Sequence, residues 1–294
     1  MIMRFRKILC PIDFSPGSDQ ALRMAVQLAK SSDAELVLTH SWYVPALAYG
    51  GEGWMLSADI IDNIVQDGSR GLAAALSTAV GLGARATSVL QNGVPSDRIL
   101  TLLHGDLTFD LVVVGTHGRT GLARVLLGSV AEQIVRHAPC SVLAARPRLA
   151  EGPFKNILCP VDFSDSSRDA IDLAIDLGVE GTEIALMHSI ELPTSYGQEP
   201  TLMDAVAEVD RTTTSALERW AETTRSKARG PVTTQTRRGR AGAQILTLLE
   251  GGTFDLVVMG SHGRTGIRRA LLGSVAEKVV RHATCPVFVA RKRT

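Results

Sequence analysis

Lys7-Ile-Leu-Cys-Pro-Ile-Asp13-Phe-Ser15 recurs 149 residues later as Asn156-Ile-Leu-Cys-Pro-Val-Asp162-Phe-Ser164. Working outward, LVLTHSWYVP ending at Pro45 returns as IALMHSIELP ending at Pro193, now at a spacing of 148. Ile99 to Leu103 match Ile245 to Leu249 at 146, and Phe109 to Gly115 match Phe254 to Gly260 at 145. The slow drift places small deletions between the matched blocks, where loops absorb them. A period of about 147 residues is far too long for a solenoid, so a whole domain has been duplicated in tandem. The 294-residue length agrees, at roughly 150 residues per domain. The expected domains are residues 1–147 and 154–294, joined by a polar Pro/Gly-containing linker at 148–153.

Within each copy, apolar runs alternate with segments of helical period. Ile8 to Ile12, Leu36 to Thr39, Leu111 to Val114 and Ser141 to Ala145 read as short buried strands. After Ser15, residues Ala21, Leu22, Ala25, Val26, Leu28 and Ala29 share one helical face, and 58–80, 96–103 and 129–137 also read as helices. Strands apolar throughout and separated by helices mark a parallel sheet covered on both faces. With right-handed crossovers, each copy reads as a five-stranded α/β domain of alternating strands and helices.

The most informative block for chemistry is Gly115-Thr-His-Gly118-Arg119-Thr-Gly121 followed by Gly128-Ser129-Val130, repeated as Gly260-Ser-His-Gly263-Arg264-Thr-Gly266 and Gly273-Ser274-Val275. Both copies obey G-x2-G-x9-G-S between the fourth strand and the next helix. Glycines there let backbone N–H groups approach a ligand without a Cβ in the way. The helix start adds unpaired donors and the positive end of its dipole, a ready phosphate site, and Arg119 and Arg264 are placed to reach phosphate oxygens. A competing reading makes Ser129 with Glu132, and Ser274 with Glu277, capping boxes that need no ligand.

Asp13 and Asp162 end the first strand of each copy, at the sheet edge where open α/β sheets bind ligands. A carboxylate facing a phosphate loop suits a ribose hydroxyl or a bound Mg2+. Ser15 precedes Pro16 and reads as a helix N-cap with proline at the first helical position. His40 and His188 end the second strands and read as structural, with no nucleophile at partner spacing; His117 and His262 lie in the glycine loops. His137 and His282 close a helix, where a cation offsets the dipole. Gly50, Gly51 and Gly53 occur only in the first copy and read as a mobile loop, a candidate lid.

Absences narrow the field. No G-x-x-x-x-G-K-[ST], no G-x-G-x-x-G after the first strand and no G-x-S-x-G elbow is present. A phosphate cradle without an evident catalytic base points to a binder and not to a fast enzyme. Thirty-one Lys and Arg against 30 Asp and Glu give a net charge of +1, and aromatics make up 4%, which argues against a nucleic-acid partner. The clusters Arg237-Arg238-Gly239-Arg240 and Arg291-Lys292-Arg293 read as solvated surface. No apolar run has the length of a membrane span, the basic start leads too soon into Cys10 and Pro11 for a signal-peptide core, and four scattered cysteines make neither a disulfide scaffold nor a zinc site. A reduced, cytoplasmic protein is the expectation.

The P-[IV]-D-F-S strand ends (Pro11 and Asp13, Pro160 and Asp162) and the two glycine motifs resemble those of the universal stress protein family, specifically its tandem-domain, ATP-binding members. The resemblance covers residues 5–147 and 154–292. It implies two Rossmann-like domains with strand order 3-2-1-4-5 and ATP as the ligand, with or without Mg2+. Asp13 and Asp162 then contact the nucleoside, and backbone after the second strand, near Ser41 and Ser189, holds the adenine. Gly115, Gly118 and Arg119, with Gly260, Gly263 and Arg264, approach ribose and phosphates. Gly128, Ser129 and Val130, with Gly273, Ser274 and Val275, bind the phosphate tail. Two nucleotide sites per chain follow, in a stress-response regulatory module; a slow Mg-dependent ATPase or phosphotransferase and a nucleotide-independent partner-binding scaffold are the alternatives. The resemblance also implies that the last strands, Ser141–Ala145 and 286–290, pair within one chain as a pseudo-dimer, with a homodimer of chains left open and the protein partners unidentified.

Overall fold

The computed structural model describes residues 5–44, 58–106, 108–116, 127–146, 152–191, 200–263 and 272–292. The chain divides into two compact units, residues 4–146 and 147–292. Residues 148–151 of the expected linker and the glycines 50, 51 and 53 lie outside the described residues.

The N-terminal unit runs β1 (Lys7–Pro11), α1 (Pro16–Ser32), β2 (Glu35–Trp42), α2 (Ala58–Gly81), β3 (Arg85–Asn92), α3 (Pro95–Gly105), β4 (Leu111–Gly115), α4 (Ser129–His137) and β5 (Ser141–Ala145). The C-terminal unit repeats this as β6 (Asn156–Pro160), α5 (Asp165–Leu177), β7 (Glu183–Ile190), α6 (Pro200–Arg225), β8 (Val232–Arg238), α7 (Ala241–Glu250), β9 (Leu256–Gly260), α8 (Ser274–His282) and β10 (Val287–Ala290). Strand order is β3-β2-β1-β4-β5 in the first unit and β8-β7-β6-β9-β10 in the second, with parallel pairing throughout. Each unit is thus the Rossmann-like five-stranded α/β domain expected from the sequence.

The central strands are apolar because helices cover both of their faces. Ile8, Leu9, Leu111, Val112 and Val113 are fully buried, as are Ile157, Leu158, Leu256, Val257 and Val258. The edge strands obey a different rule. β3 alternates exposed and half-buried residues, and β8 reads VTTQTRR. No apolar run marks them, and for that reason sequence patterning located only four strands per copy.

The register between β1 and β4 shapes everything near the site. β1 pairs with β2 over five residues but with β4 over only two, Ile8↔Leu111 and Leu9↔Val112. β6 and β9 likewise pair only at Ile157↔Leu256 and Leu158↔Val257. A carboxylate pins the opposite end of each seam. Asp110 Oδ2 accepts from the backbone N–H groups of Arg6 and Lys7 at 2.6 and 3.1 Å. Asp255 accepts from those of Lys155 and Asn156 at 2.8 and 3.2 Å. Beyond the paired residues the strands part, and a crevice opens at their carboxyl ends.

One tether is private to the first unit. Lys7 Nζ donates to Asp106 Oδ2 at 2.8 Å, linking β1 to the C-cap of α3. This bond, with two more from Thr108, holds the Asp106 carboxyl down at about 2. An unfolded aspartate titrates near 3.9, so folding favours the charged form. That contribution is complete above about pH 4 and disappears as pH falls toward 2. Acid titration of stability, followed by urea unfolding, is therefore expected to show a loss between pH 4 and pH 2 that Asp106→Asn removes. Equal acid sensitivity in the variant would contradict the tether.

Candidate functional site

The crevice of the first unit is a cavity of about 340 Å3 and that of the second of about 250 Å3. Pro11, Asp13, Ser41, Gly115, Gly128, Ser129 and Val130 line the first. Pro160, Asp162, Ser189, Gly260, Gly263, Gly273, Ser274 and Val275 line the second. Gly118, Arg119, His117 and Arg264 lie outside the described residues. Patterning did not single out Ser18, Thr39, Pro95 and Ile99 on the first wall, nor Ser167, Met187, Ala241 and Ile245 on the second. Only the spacing of Ser18 from Ser15, and of Ser167 from Ser164, offered a signal, since position N3 of a helix faces its cap.

Asp13 is aimed by the turn that follows it. Phe14, at φ 64°, takes the left-handed conformation that side chains other than glycine rarely adopt, and Phe163 repeats it at the same angle. The ring of Phe14 packs on His40 at a centroid distance of 4.4 Å, and Phe163 packs on His188 at 4.7 Å. His40 Nδ1 lies 2.7 Å from the Ile12 carbonyl oxygen, and His188 Nδ1 lies 2.6 Å from that of Val161. A carbonyl only accepts, so each Nδ1 carries the hydrogen. These histidines brace the turn from β2 and β7, the structural role read from the sequence.

Asp13 Oδ1 accepts from the Ser15 backbone N–H at 3.0 Å and from its Oγ at 2.6 Å. Ser15 in turn caps α1, accepting from the Ser18 N–H at 3.2 Å. In the second unit Asp162 Oδ1 accepts from Ser164 N–H, Ser164 Oγ and Ser167 Oγ at 3.0, 2.5 and 2.6 Å. Its Oδ2 faces Gly263, where an added Cβ would lie 2.9 Å away. The cap and the site carboxylate are therefore one hydrogen-bonded unit.

On the opposite wall, the two ends of each glycine loop are tied together. Gly128 N–H donates to the Thr116 carbonyl at 2.9 Å, and Gly273 N–H to that of Ser261 at 2.8 Å. The expected capping boxes do not form. Gly128 and Gly273, in extended backbone, are the N-caps, with no side-chain cap bond, so Ser129 and Ser274 sit one residue inside the helix. Glu132 and Glu277 then fall at the fourth position, too far along to reach back, and pair instead with Arg136 and Arg281 at 3.3 Å. The first N–H groups of α4 and α8 consequently border the cavities without a side-chain cap. Gly115 and Gly260 carry a packing requirement too. A Cβ on Gly115 would lie 2.7 Å from the Gly17 carbonyl, and one on Gly260 would lie 2.8 Å from the Ser166 carbonyl carbon.

Ser41 is placed differently from expectation. β2 continues to Trp42, so Ser41 lies within the strand, in register with Gln91. The polar run after Thr39 hid that continuation. Ser189 likewise lies within β7, across from Arg237. The thiols of Cys10 and Cys159, buried in β1 and β6, are pushed up by burial and stay protonated.

The universal stress protein family model matches residues 4–146 and 153–291. The chain belongs to the universal stress protein family. A universal stress protein of Mycolicibacterium smegmatis is 30% identical over 305 aligned positions, covering 97% of each chain. One from Methanocaldococcus jannaschii is 33% identical over 144 positions, covering 48% of this chain and 82% of that one. Among solved structures, a universal stress protein of Archaeoglobus fulgidus matches with a TM-score of 0.73, covering 99% of this chain and all of that one at 20% identity. That likeness is one of fold. At the family level the chain is a stress-response protein built of two universal stress protein domains. Among the described residues, no helix is long and apolar enough to cross a membrane.

Ser15→Ala removes both the cap of α1 and a donor to Asp13, and is expected to cost the first unit about 1–2 kcal/mol. Urea unfolding should show the midpoint lowered with an unchanged slope; an unchanged midpoint would mean the Ser15 cap carries no stability.

Proposed function

We propose that the protein is an ATP-binding regulatory module of the stress response, with one adenine-nucleotide site in each repeat. The observation that supports this best is the wall common to both cavities. A braced carboxylate, Asp13 or Asp162, faces a helix start capped by glycine and open to an anion. The first volume, about 340 Å3, falls at the small end of ligand pockets, which span roughly 300–1,000 Å3, and the second, about 250 Å3, falls just below it. An adenine nucleotide fits this donor set, with its phosphates at Gly128 to Val130 and Gly273 to Val275 and its ribose near Asp13 and Asp162. Its base would face Ser41 and Ser189. Gly115, Gly118 and Arg119, with Gly260, Gly263 and Arg264, complete the proposed phosphate side.

Mg2+ needs one or two carboxylates beside phosphate oxygens. Asp13 and Asp162 would each supply one, and among the described residues no group of three or more metal-ligating side chains competes with them. When bound, the ion would neutralise phosphate charge. Among the described residues, the titratable side chains lining the first cavity are Asp13 and His40, and those lining the second are Asp162 and His262. Asp13 and Asp162 are engaged by the cap serines, His40 by the Ile12 carbonyl, and His262 Nδ1 by the Ser261 hydroxyl at 2.8 Å. Groups held in this way favour retention of ATP over rapid cleavage, so occupancy, not turnover, is the proposed signal to partner proteins.

Calorimetric titration of nucleotide-free protein with Mg·ATP tests the reading. The expected stoichiometry is two, falling to about one in Gly263→Ala, whose new methyl group meets Asp162. Absence of binding heat, with no nucleotide in denatured extracts of the purified protein, would overturn it in favour of a partner-binding scaffold.

A further inference from the structure

The two cavities share their phosphate side but not the wall where β2 and β7 end. In the first, Thr39 is buried with its Oγ1 accepting from Gln91 Nε2 at 3.0 Å. Two residues on, the Oγ of Ser41 is buried on the cavity wall and has no hydrogen-bond partner among the described residues. In the second cavity Met187 replaces Thr39, and the residue across from Ser189 is Arg237 in place of Gln91. The Ser189 Oγ is already used, donating to the Gly239 carbonyl at 2.5 Å. The backbone is the same in both places: Gly93 and Gly239 follow their strands at φ 130° and 125°, and each donates its N–H, to Trp42 and Ile190 respectively, at 2.9 Å. The difference therefore lies in side chains. One wall holds an unspent hydroxyl beside a polar pair, and the other an apolar thioether beside a spent hydroxyl.

A buried hydroxyl without a partner is costly, and folded proteins retain few of them. A ligand that supplies the missing partner removes that cost on binding, whereas a ligand at a wall already satisfied gains nothing there. We infer that the Ser41 hydroxyl is a ligand contact to the polar edge of the bound heteroaromatic base, and that the two sites of the chain are consequently unequal. The first is the tighter and reads the base; the second holds its ligand by the phosphate side and apolar contact with Met187. This inference rests on the nucleotide reading above. It makes the duplicated chain a sensor with two thresholds, since the first site fills at a lower nucleotide concentration than the second.

The experiment is calorimetric titration of the full chain with Mg·ATP for the wild type, Ser41→Ala and Ser41→Thr. Inorganic tripolyphosphate, which has the phosphates and no base, serves as competitor. The wild type is expected to show two classes of site. Ser41→Ala should weaken the tighter class about tenfold, the worth of one hydrogen bond completed on binding. Ser41→Thr, which keeps the hydroxyl on a residue suited to a strand, should retain it. The competition constant of tripolyphosphate should be the same in all three proteins. Equal loss of ATP and tripolyphosphate affinity in Ser41→Ala would overturn the inference, because the serine would then act through the wall and not on the base. Two equivalent ATP sites untouched by Ser41→Ala would also overturn it while leaving the nucleotide reading intact. No nucleotide binding by any of the three proteins would overturn both.

Discussion

The two-residue seam between β1 and β4, and its copy between β6 and β9, is the constraint on which the site depends. These are the strands at which the order 3-2-1-4-5 reverses, so connections on the two sides leave toward opposite faces. Pinned at one end by Asp110 and Asp255, the paired strands are free to part at the other. The carboxylate and the glycine side of each cavity come from chain leaving those parted ends, while β2 and α3, or β7 and α7, supply the facing wall. β1 delivers Pro11 and Asp13, β4 delivers Gly115, and α4 returns with its N-terminus against the opening. Gly115 and Gly260 then let α1 and α5 press against the ends of β4 and β9, where any side chain would hold the layers apart.

Stability and site geometry meet at a few bonds. Ser15 caps a helix and restrains Asp13 with the same hydroxyl. Phe14 adopts a left-handed backbone, an arrangement that costs energy by itself. Its ring is held by His40, whose Nδ1 in turn holds the carbonyl just before Asp13. The carboxylate's position is thus fixed by the fold before any ligand arrives, which lowers the ordering cost of binding.

Much of this was legible in the sequence because it was written twice. A glycine or an aspartate seen once is weak, but the same spacing in two copies locates the loop, the strand end and the helix start. Legibility failed where tertiary context overrides local pattern. β3 and β8 are edge strands whose solvent-facing residues are polar, so neither has an apolar run to find. Ser41 was expected after β2 because His40 was read as the strand's last residue, yet pairing with β3 extends the strand through Trp42. Ser129 and Glu132 spell a capping box, but Gly128 takes the cap because its N–H closes the loop onto Thr116. The contrast between Thr39 and Met187 was visible as letters; that these residues face the cavities required the fold.

Duplication followed by divergence explains why the units agree at the seam and differ at its margins. The Lys7–Asp106 tether belongs to the first unit, and Asn156 stands where Lys7 would recur. The central claim is that both crevices hold an adenine nucleotide with its phosphates at the starts of α4 and α8. A crystal structure of the chain grown with Mg·ATP tests it most directly. The account predicts triphosphate density beside Gly128–Val130 and Gly273–Val275, with the bases toward Ser41 and Ser189. Nucleotide bound elsewhere, or crevices filled by side chains of the chain itself, would contradict it.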